Sequence, residues 1–185
     1  MNSAVLRIIS AIVLLPIVVA VLWYGGWPFV LMAVLVAFLA AVEYVQMLRR
    51  KGYRPSLIVV LAMILVWIGS VFVDGHYLAP SVALVVLAAS AWQLRRSDEE
   101  EPTATWALAL AGGLYLGVGG AYLVRLRWMP GGRWLILTAL PVVWIADSCA
   151  YWIGRRWGRH KMAPRISPKK SWEGYAAEVV GGLLF

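Results

Sequence analysis

The sequence predicts an all-α fold, a polytopic transmembrane helical bundle with six complete spans and the start of a seventh. Three observations carry that expectation. Hydrophobic residues make up 62% of the 185-residue chain and charged ones only 14%, with a mean hydropathy of +0.77, which lies outside the range of water-soluble domains. The apolar residues come in runs close to the roughly 20 residues that a helix needs to cross the hydrocarbon core. The charges gather at the ends of those runs, as orientation in a bilayer requires. One membrane-embedded domain over residues 1–185 follows.

The first run extends from about Val5 to Trp23, behind a head containing Arg7, and stops at Tyr24, Gly25 and Gly26. Its length, the lack of a small-residue cleavage site and the spans that follow at once argue against a removed leader. The second run, Pro28 to about Met47, closes on Arg49, Arg50, Lys51 and Arg54, and Glu43 near its end is in register to pair with Arg50 at i+7. The third covers Leu57 to Val73 and the fourth Leu78 to Leu94, joined by Asp74, Gly75 and His76. Arg95, Arg96, the acidic stretch Asp98 to Glu101 and Pro102 read as a solvated loop. The fifth run, Ala104 to Val124, contains Gly113 and Gly117 in a GxxxG spacing, which favours close helix packing and would also suit a homodimer face. The sixth goes from Trp134 to about Ile153, and a seventh begins near Tyr175. The chain stops at Phe185 inside that last run, so a C-terminally truncated chain is expected.

The formal net charge of +8 does not point to nucleic acid, because the cations form no patch on a soluble surface. Their placement fits membrane orientation and attraction to anionic lipid or phosphate-bearing substrates. With the N-terminus inside, fourteen of the seventeen Lys and Arg residues fall on cytoplasmic segments. The loop from Gly154 to Gly174, with seven of them, then faces the cytoplasm of a bacterial-type inner membrane. Cys149 has no partner cysteine in the chain and reads as a small packing residue.

Asp147 is the residue of the sixth run that most needs explaining, since an ionised carboxylate within a span costs several kcal/mol unless paired, hydrated or bound to a cation. At 100° per residue Trp144, Asp147, Tyr151 and Gly154 share a helix face, and would point into one gap near the cytoplasmic surface. A structural ion pair with Arg155 or Arg156 is the plainer alternative. Directly after comes Gly154-Arg-Arg-Trp-Gly-Arg-His-Lys-Met-Ala-Pro-Arg-Ile-Ser-Pro-Lys-Lys-Ser-Trp-Glu-Gly174. Ser167 followed by Pro168 predicts a helix start with Lys169 and Lys170 in its first turn. Cations there oppose the helix dipole, an arrangement that a bound phosphate would offset. An ordinary positive-inside loop accounts equally for the charge count.

The order of these residues is more specific than their charge. Asp147-Ser-x-Ala150-Tyr151-x-x-Gly154-Arg155, then Gly158-x-His160-Lys161-x-Ala163-Pro164-x-Ile166-Ser167-Pro168-x-Lys170-Ser171-Trp172-Glu173-Gly174, closely resembles the central block of the phosphatidate cytidylyltransferases, also called CDP-diglyceride synthetases. Arg7-Ile-Ile-Ser, the run to Gly25-Gly26 and Glu43-Tyr44 are similar to that family's N-terminal part. The resemblance implies transfer of a cytidylyl group from CTP to phosphatidic acid, giving CDP-diacylglycerol and pyrophosphate, with Mg²⁺ at a membrane-embedded site open to the cytoplasm. It places Asp147 and Lys170 at the reaction centre and Asp147 and Glu173 toward the metal. Ser167, Lys169 and Ser171 would touch phosphate oxygens, with Arg155 and Lys161 as outer electrostatic contributors. Glu173 could instead orient a lysine. The family's downstream Lys-Asp pair, Pro-Gly-His-Gly-Gly stretch and two further aspartates are not in this sequence, so negligible activity is expected of a chain ending at Phe185. Cys149 stands where a glycine is frequent.

Two other readings compete. One is a small membrane transporter or lipid-binding subunit using Asp147 as an ion site, although no inverted repeat is visible. The other keeps cytidylyl transfer but changes the acceptor to an isoprenoid-ether or polyprenyl lipid.

Overall fold

In a bilayer every backbone amide must be satisfied within the protein, which leaves helices as the default for a chain this apolar. The computed structural model describes residues 3–73, 75–95, 101–165 and 167–184, with backbone alone for 3–13 and 75, and it is accordingly helical. In chain order come α1 (Ser3–Tyr24), α2 (Gly26–Arg49), α3 (Leu57–Gly69), a 3₁₀ turn (Gly75–Tyr77), α4 (Leu78–Leu94), α5 (Pro102–Trp128), α6 (Gly132–Trp157), β1 (Lys161–Ala163), β2 (Ser167–Ser171) and α7 (Trp172–Leu184). Asp74, Arg96, the acidic residues 98–100, Ile166 and Phe185 lie outside the described residues, as does the side chain of Arg7. The chain divides into two units, Met1–Gly132 and Arg133–Phe185.

Of the six expected spans, three are long and apolar enough to cross a membrane among the described residues: α2, α5 and α6. The others are shorter apolar helices, including the segment Leu14–Tyr24 of α1. The difference is clearest at α3. Its apolar run was expected to continue to Val73, but the helix ends at Gly69 after 13 residues, a rise of only about 20 Å. Ser70 Oγ donates to the Trp67 carbonyl at 2.6 Å, and the chain leaves in tight turns closed by Val71 N–H on Ile68 O and Phe72 N–H on Gly69 O.

Within the first unit α5 is the central helix, and its glycines explain why. Lipid removes most of the hydrophobic drive between helices, so adhesion depends on close van der Waals approach. A Cβ on Gly113 would stand 2.7 Å from Met63 Cβ, and one on Gly117 would stand 3.2 Å from Ile64 Cα. The GxxxG face is therefore filled by α3 of the same chain. Gly112 lies against the Tyr44 ring, whose hydroxyl donates to the Leu108 carbonyl at 2.8 Å and ties α2 to α5. Glu43, one residue before, is exposed and forms no ion pair with Arg50 among the described residues. Seven residues along a helix are separated by roughly 10 Å, and Arg50 sits beyond the end of α2 as its C-cap.

At the other end of this unit, Arg127 of α5 donates from Nε to the Leu22 carbonyl at 3.0 Å and from Nη2 to the Trp23 carbonyl at 3.1 Å. A guanidinium thus satisfies the last carbonyls of α1, where a helix has no acceptor partners of its own and a positive charge is favoured. Gly25, at φ +68°, makes the turn there, and any side chain on it would collide with that guanidinium. Trp27, Phe72 and Trp128 cluster at the same end, with ring centroids 5.1 to 6.4 Å apart, as aromatic side chains do at membrane interfaces.

In the second unit α6 and α7 meet along small residues. Gly181 lies on Cys149, Gly182 on Ala146 and Val142, and Gly174 on Gly154, where an added Cβ would come within 3.2 Å of the Gly154 Cα. Cys149 is, as read from the sequence, a packing residue. Between the helices β1 and β2 form an antiparallel hairpin pairing Lys161 with Ser171 and Ala163 with Ser167, with an irregularity between the two pairs.

The hairpin corrects the helix start expected at Ser167 and Pro168. Those residues begin a strand, and α7 begins at Trp172 with Ser171 before it, the Gly174 N–H donating to Ser171 Oγ at 3.3 Å. The dipole explains the shift. A start at Ser167 would put two lysines in the first turn, whereas a start at Ser171 moves them onto a strand and leaves Glu173 at the positive end of the helix.

Candidate phosphate-binding site

The candidate site is the hairpin and the helix ends that hold it. Its seat is a cluster of three glycines around one serine. Gly154 at the end of α6, Gly174 in the first turn of α7, and Gly158 in the link between α6 and β1 all approach Ser171 Oγ closely. Ser171 is only 3% exposed. Its hydroxyl, expected to touch phosphate, is instead turned into the fold as the N-cap of α7, and its contribution is to fix where the hairpin ends.

The cations of the hairpin point the other way. Arg159, Lys161, Arg165, Lys169 and Lys170 are all exposed, and none of them pairs with a carboxylate among the described residues. Ser167 is half-buried at the start of β2. Because Lys161 pairs in register with Ser171, its charge is held beside the strand that carries Lys169 and Lys170. Such a group of positive charges, unpaired among the described residues, on a short, braced hairpin can attract a polyanion.

Asp147 lies within α6, which runs four residues past Ile153 to Trp157. It sits ten residues before that end, roughly 15 Å along the axis. The carboxylate is exposed and forms no ion pair among the described residues, so the structural pair with Arg155 or Arg156 is not formed. Arg155 Nη1 donates to the Tyr151 hydroxyl at 2.6 Å, and Arg156 lies over the Trp157 ring at 5.2 Å. The face shared by Trp144, Asp147, Tyr151 and Gly154 does not line a single gap. Its Gly154 end is covered by Ser171 and Gly174, whereas Trp144, Asp147 and Tyr151 stay exposed.

Glu173 is the most constrained charged residue of the site. Its two oxygens accept the His160 N–H at 3.2 and 3.3 Å, and Oε1 also lies 2.6 Å from His160 Nδ1. Its carboxyl is held down to about 2, from a usual 4.5, by its own backbone N–H first, then by the His160 ring and by the backbone N–H groups of His160 and Arg159. A depressed carboxyl contributes stability in full above its unfolded value and loses it as pH falls through the folded one. The Glu173–His160 contact should therefore be intact above pH 4.5 and lost on going toward pH 2. A ¹³C carboxyl titration of labelled Glu173 in nanodiscs should give a midpoint near 2, and a midpoint near the free value would show that the contact is absent in solution. His160 was not singled out from the sequence. The signal was there, since His160 and Glu173 flank β1 and β2 on either side, but it is readable only once the segment is known to be a hairpin.

Mg²⁺ was expected from Asp147 and Glu173. Among the described residues no group of three or more His, Cys, Asp and Glu side chains converges, so the described chain offers single carboxylates only. Mg²⁺ commonly uses one or two carboxylates together with waters and substrate phosphates. Asp147, exposed and without a cation, fits that pattern. Glu173, whose oxygens already accept from His160, has fewer lone pairs left for the ion.

Comparison with known proteins shows the family of the chain. A model of the family described as "Cytidylyltransferase family" matches residues 5–185. The chain belongs to the cytidylyltransferase family. Relatives in it include a phosphatidate cytidylyltransferase of Staphylococcus saprophyticus, 33% identical over 183 residues and matched over 96% of this chain and 67% of its own length. One of Brucella suis is 32% identical over 196 residues, covering all of this chain and 68% of the relative. No solved structure matches the chain. The hairpin with its glycine seat, and Asp147 upstream of it, all fall inside the span matched to the cytidylyltransferase family.

Proposed function

We propose that this member of the cytidylyltransferase family transfers a cytidylyl group from CTP to phosphatidic acid, giving CDP-diacylglycerol and pyrophosphate for phospholipid synthesis. The observation that supports this most directly is the braced hairpin, which presents Lys161, Lys169 and Lys170 without counter-ions among the described residues. Relatives spanning nearly the whole chain bear the name of that activity. The excess of basic residues on one side of the bilayer favours a hairpin facing the cytoplasm of the inner membrane, where CTP is found.

The chemistry asks little covalent work of the protein. A phosphatidate oxygen, already anionic, attacks the α-phosphorus of CTP in line; the bond from that phosphorus to the α,β-bridging oxygen breaks, and pyrophosphate leaves with the electron pair. The barrier comes chiefly from bringing two polyanions together and from charge developing on the leaving group. Lys169 and Lys170 on β2 would neutralise phosphate oxygens, with Ser167 as a neighbouring donor. Lys161 and Arg155 would add field from the flanks. Asp147 would hold Mg²⁺, which when bound supplies Lewis-acid stabilisation of phosphate charge. Ser171 and Glu173 would act by fixing the hairpin on α7.

The test is a defined reconstitution. Purified full-length protein in vesicles containing phosphatidic acid should move label from CTP into lipid and release one pyrophosphate per lipid labelled, and omitting either phosphatidic acid or Mg²⁺ should stop both. Equal labelling of vesicles that contain a polyprenyl phosphate instead of phosphatidic acid would assign a different acceptor, and no labelling with either would overturn the proposal.

A further inference from the structure

His160 is unusual in being both exposed and tightly oriented. Its side chain is 80% accessible, yet Glu173 holds it at two places, through its backbone N–H and through Nδ1. An exposed imidazole ordinarily samples several rotamers, and restricting it has an entropic cost that this chain accepts. An ionised carboxylate can only accept hydrogen bonds, so Nδ1 must carry a proton directed at Glu173. Nε2 is then the nitrogen left for an external partner, and in the imidazolium form it donates a second N–H. The ring stands immediately before β1, between the exposed cations Arg159 and Lys161. Trp172 N–H donates to the His160 carbonyl at 2.9 Å, which ties the same residue to the first position of α7.

We propose that His160 is a substrate-contacting residue whose Nε2–H, in the imidazolium form, donates to a phosphate oxygen at the hairpin, and that Glu173 is the positioning residue that aims it. The inference rests on the function proposed above and adds to it a contact and a support. The phosphate could belong to the nucleotide or to the lipid headgroup. Both present the same terminal oxygens to a nitrogen ligand, and separate titrations of CTP and of phosphatidic acid distinguish them.

Two substitutions separate the two ring nitrogens. His160→Asn places an amide N–H where Nδ1 was and keeps the bond to Glu173, but has nothing at the Nε2 position. His160→Gln places its amide nitrogen near Nε2. If Nε2 touches phosphate, His160→Asn should raise the KM, or the equilibrium Kd, for one substrate on the order of tenfold, the loss of one charge-assisted hydrogen bond, while His160→Gln recovers much of it. Glu173→Ala should raise the same constant and leave the other substrate's unchanged. Equal affinities in wild type and His160→Asn, with turnover intact, would overturn the contact while leaving cytidylyl transfer standing. A wild-type chain that binds neither CTP nor phosphatidic acid would remove both. Hydrogen exchange over residues 158–174 shows whether each variant keeps the hairpin. A loss of affinity in His160→Asn together with loss of protection would count against a direct contact.

Discussion

Asp147→Asn is expected to lower CTP-dependent labelling of lipid on the order of a hundredfold or more, with membrane insertion and folding unchanged. The size follows from the role. An electrostatic contribution at a phosphoryl-transfer centre is commonly worth two to three orders of magnitude in rate, and a carboxylate that holds a metal loses that ability when it becomes an amide. The expectation that folding survives comes from the position. Asp147 is exposed on α6, takes part in no ion pair among the described residues, and is isosteric with Asn. Removing its charge from a helix long and apolar enough to cross a membrane should if anything ease insertion, because an ionised side chain there costs several kcal/mol. A purely structural aspartate would give the opposite pattern, with activity retained and stability altered. Asn at 147 with turnover within twofold of wild type would show that the metal role is wrong. Parallel Mg²⁺ titrations supply a second readout, since a variant that merely misfolds has no reason to shift the Mg²⁺ dependence of its remaining activity.

The parts of this protein that could be read in advance are those governed by local rules. Hydrophobic run length places the helices, and the limits of α4 coincide with its run because Leu78 and Leu94 are bounded by polar residues at both ends. The concentration of cations between Gly154 and Gly174 is likewise visible in one dimension. Tertiary effects were harder to see. The chain between Gly158 and Trp172 became a hairpin because Ser171 caps α7 better than Ser167 could, with Glu173 and not two lysines then at the helix start. Helix propensity at Ser167-Pro168 ranked that choice wrongly by considering only the local signal. Arg127 closes the end of α1 from more than a hundred residues away. Nothing in its neighbourhood announces that. His160 and Glu173 are thirteen residues apart, a separation that has no meaning until a hairpin folds them together.

Gly158→Ala should have the second large effect, and for a reason independent of the chemistry. Gly158 does not adopt a positive φ, so its backbone would tolerate an alanine and any damage must come from the space the methyl group needs. That space is taken. A Cβ there would run into the Gly154 carbonyl oxygen and the Ser171 hydroxyl. The first is a backbone atom already bonded to the Gly158 N–H at 3.1 Å, and the second is the buried N-cap of α7, so neither can move without releasing the end of α6 or the start of α7. Loss of a cap costs about 1 kcal/mol and overpacking about 1–3 kcal/mol. Both fall on the point from which Lys169 and Lys170 are positioned. The expected result is a rise of roughly tenfold in the KM for CTP, as a few kcal/mol of local destabilisation is converted into a partly populated hairpin, with faster hydrogen exchange confined to residues 158–174. Gly119→Ala is the control, because a Cβ there meets nothing within 4 Å, and it should leave both readouts at the wild-type level. Adding Ser171→Gly to Gly158→Ala removes one of the two collisions at the cost of a few tenths of a kcal/mol in capping, so the double variant should regain part of the lost affinity. A double variant no better than Gly158→Ala alone would put the collision at the Gly154 carbonyl, and a Gly158→Ala protein with unchanged KM and exchange would show that the glycine seat does not hold the hairpin.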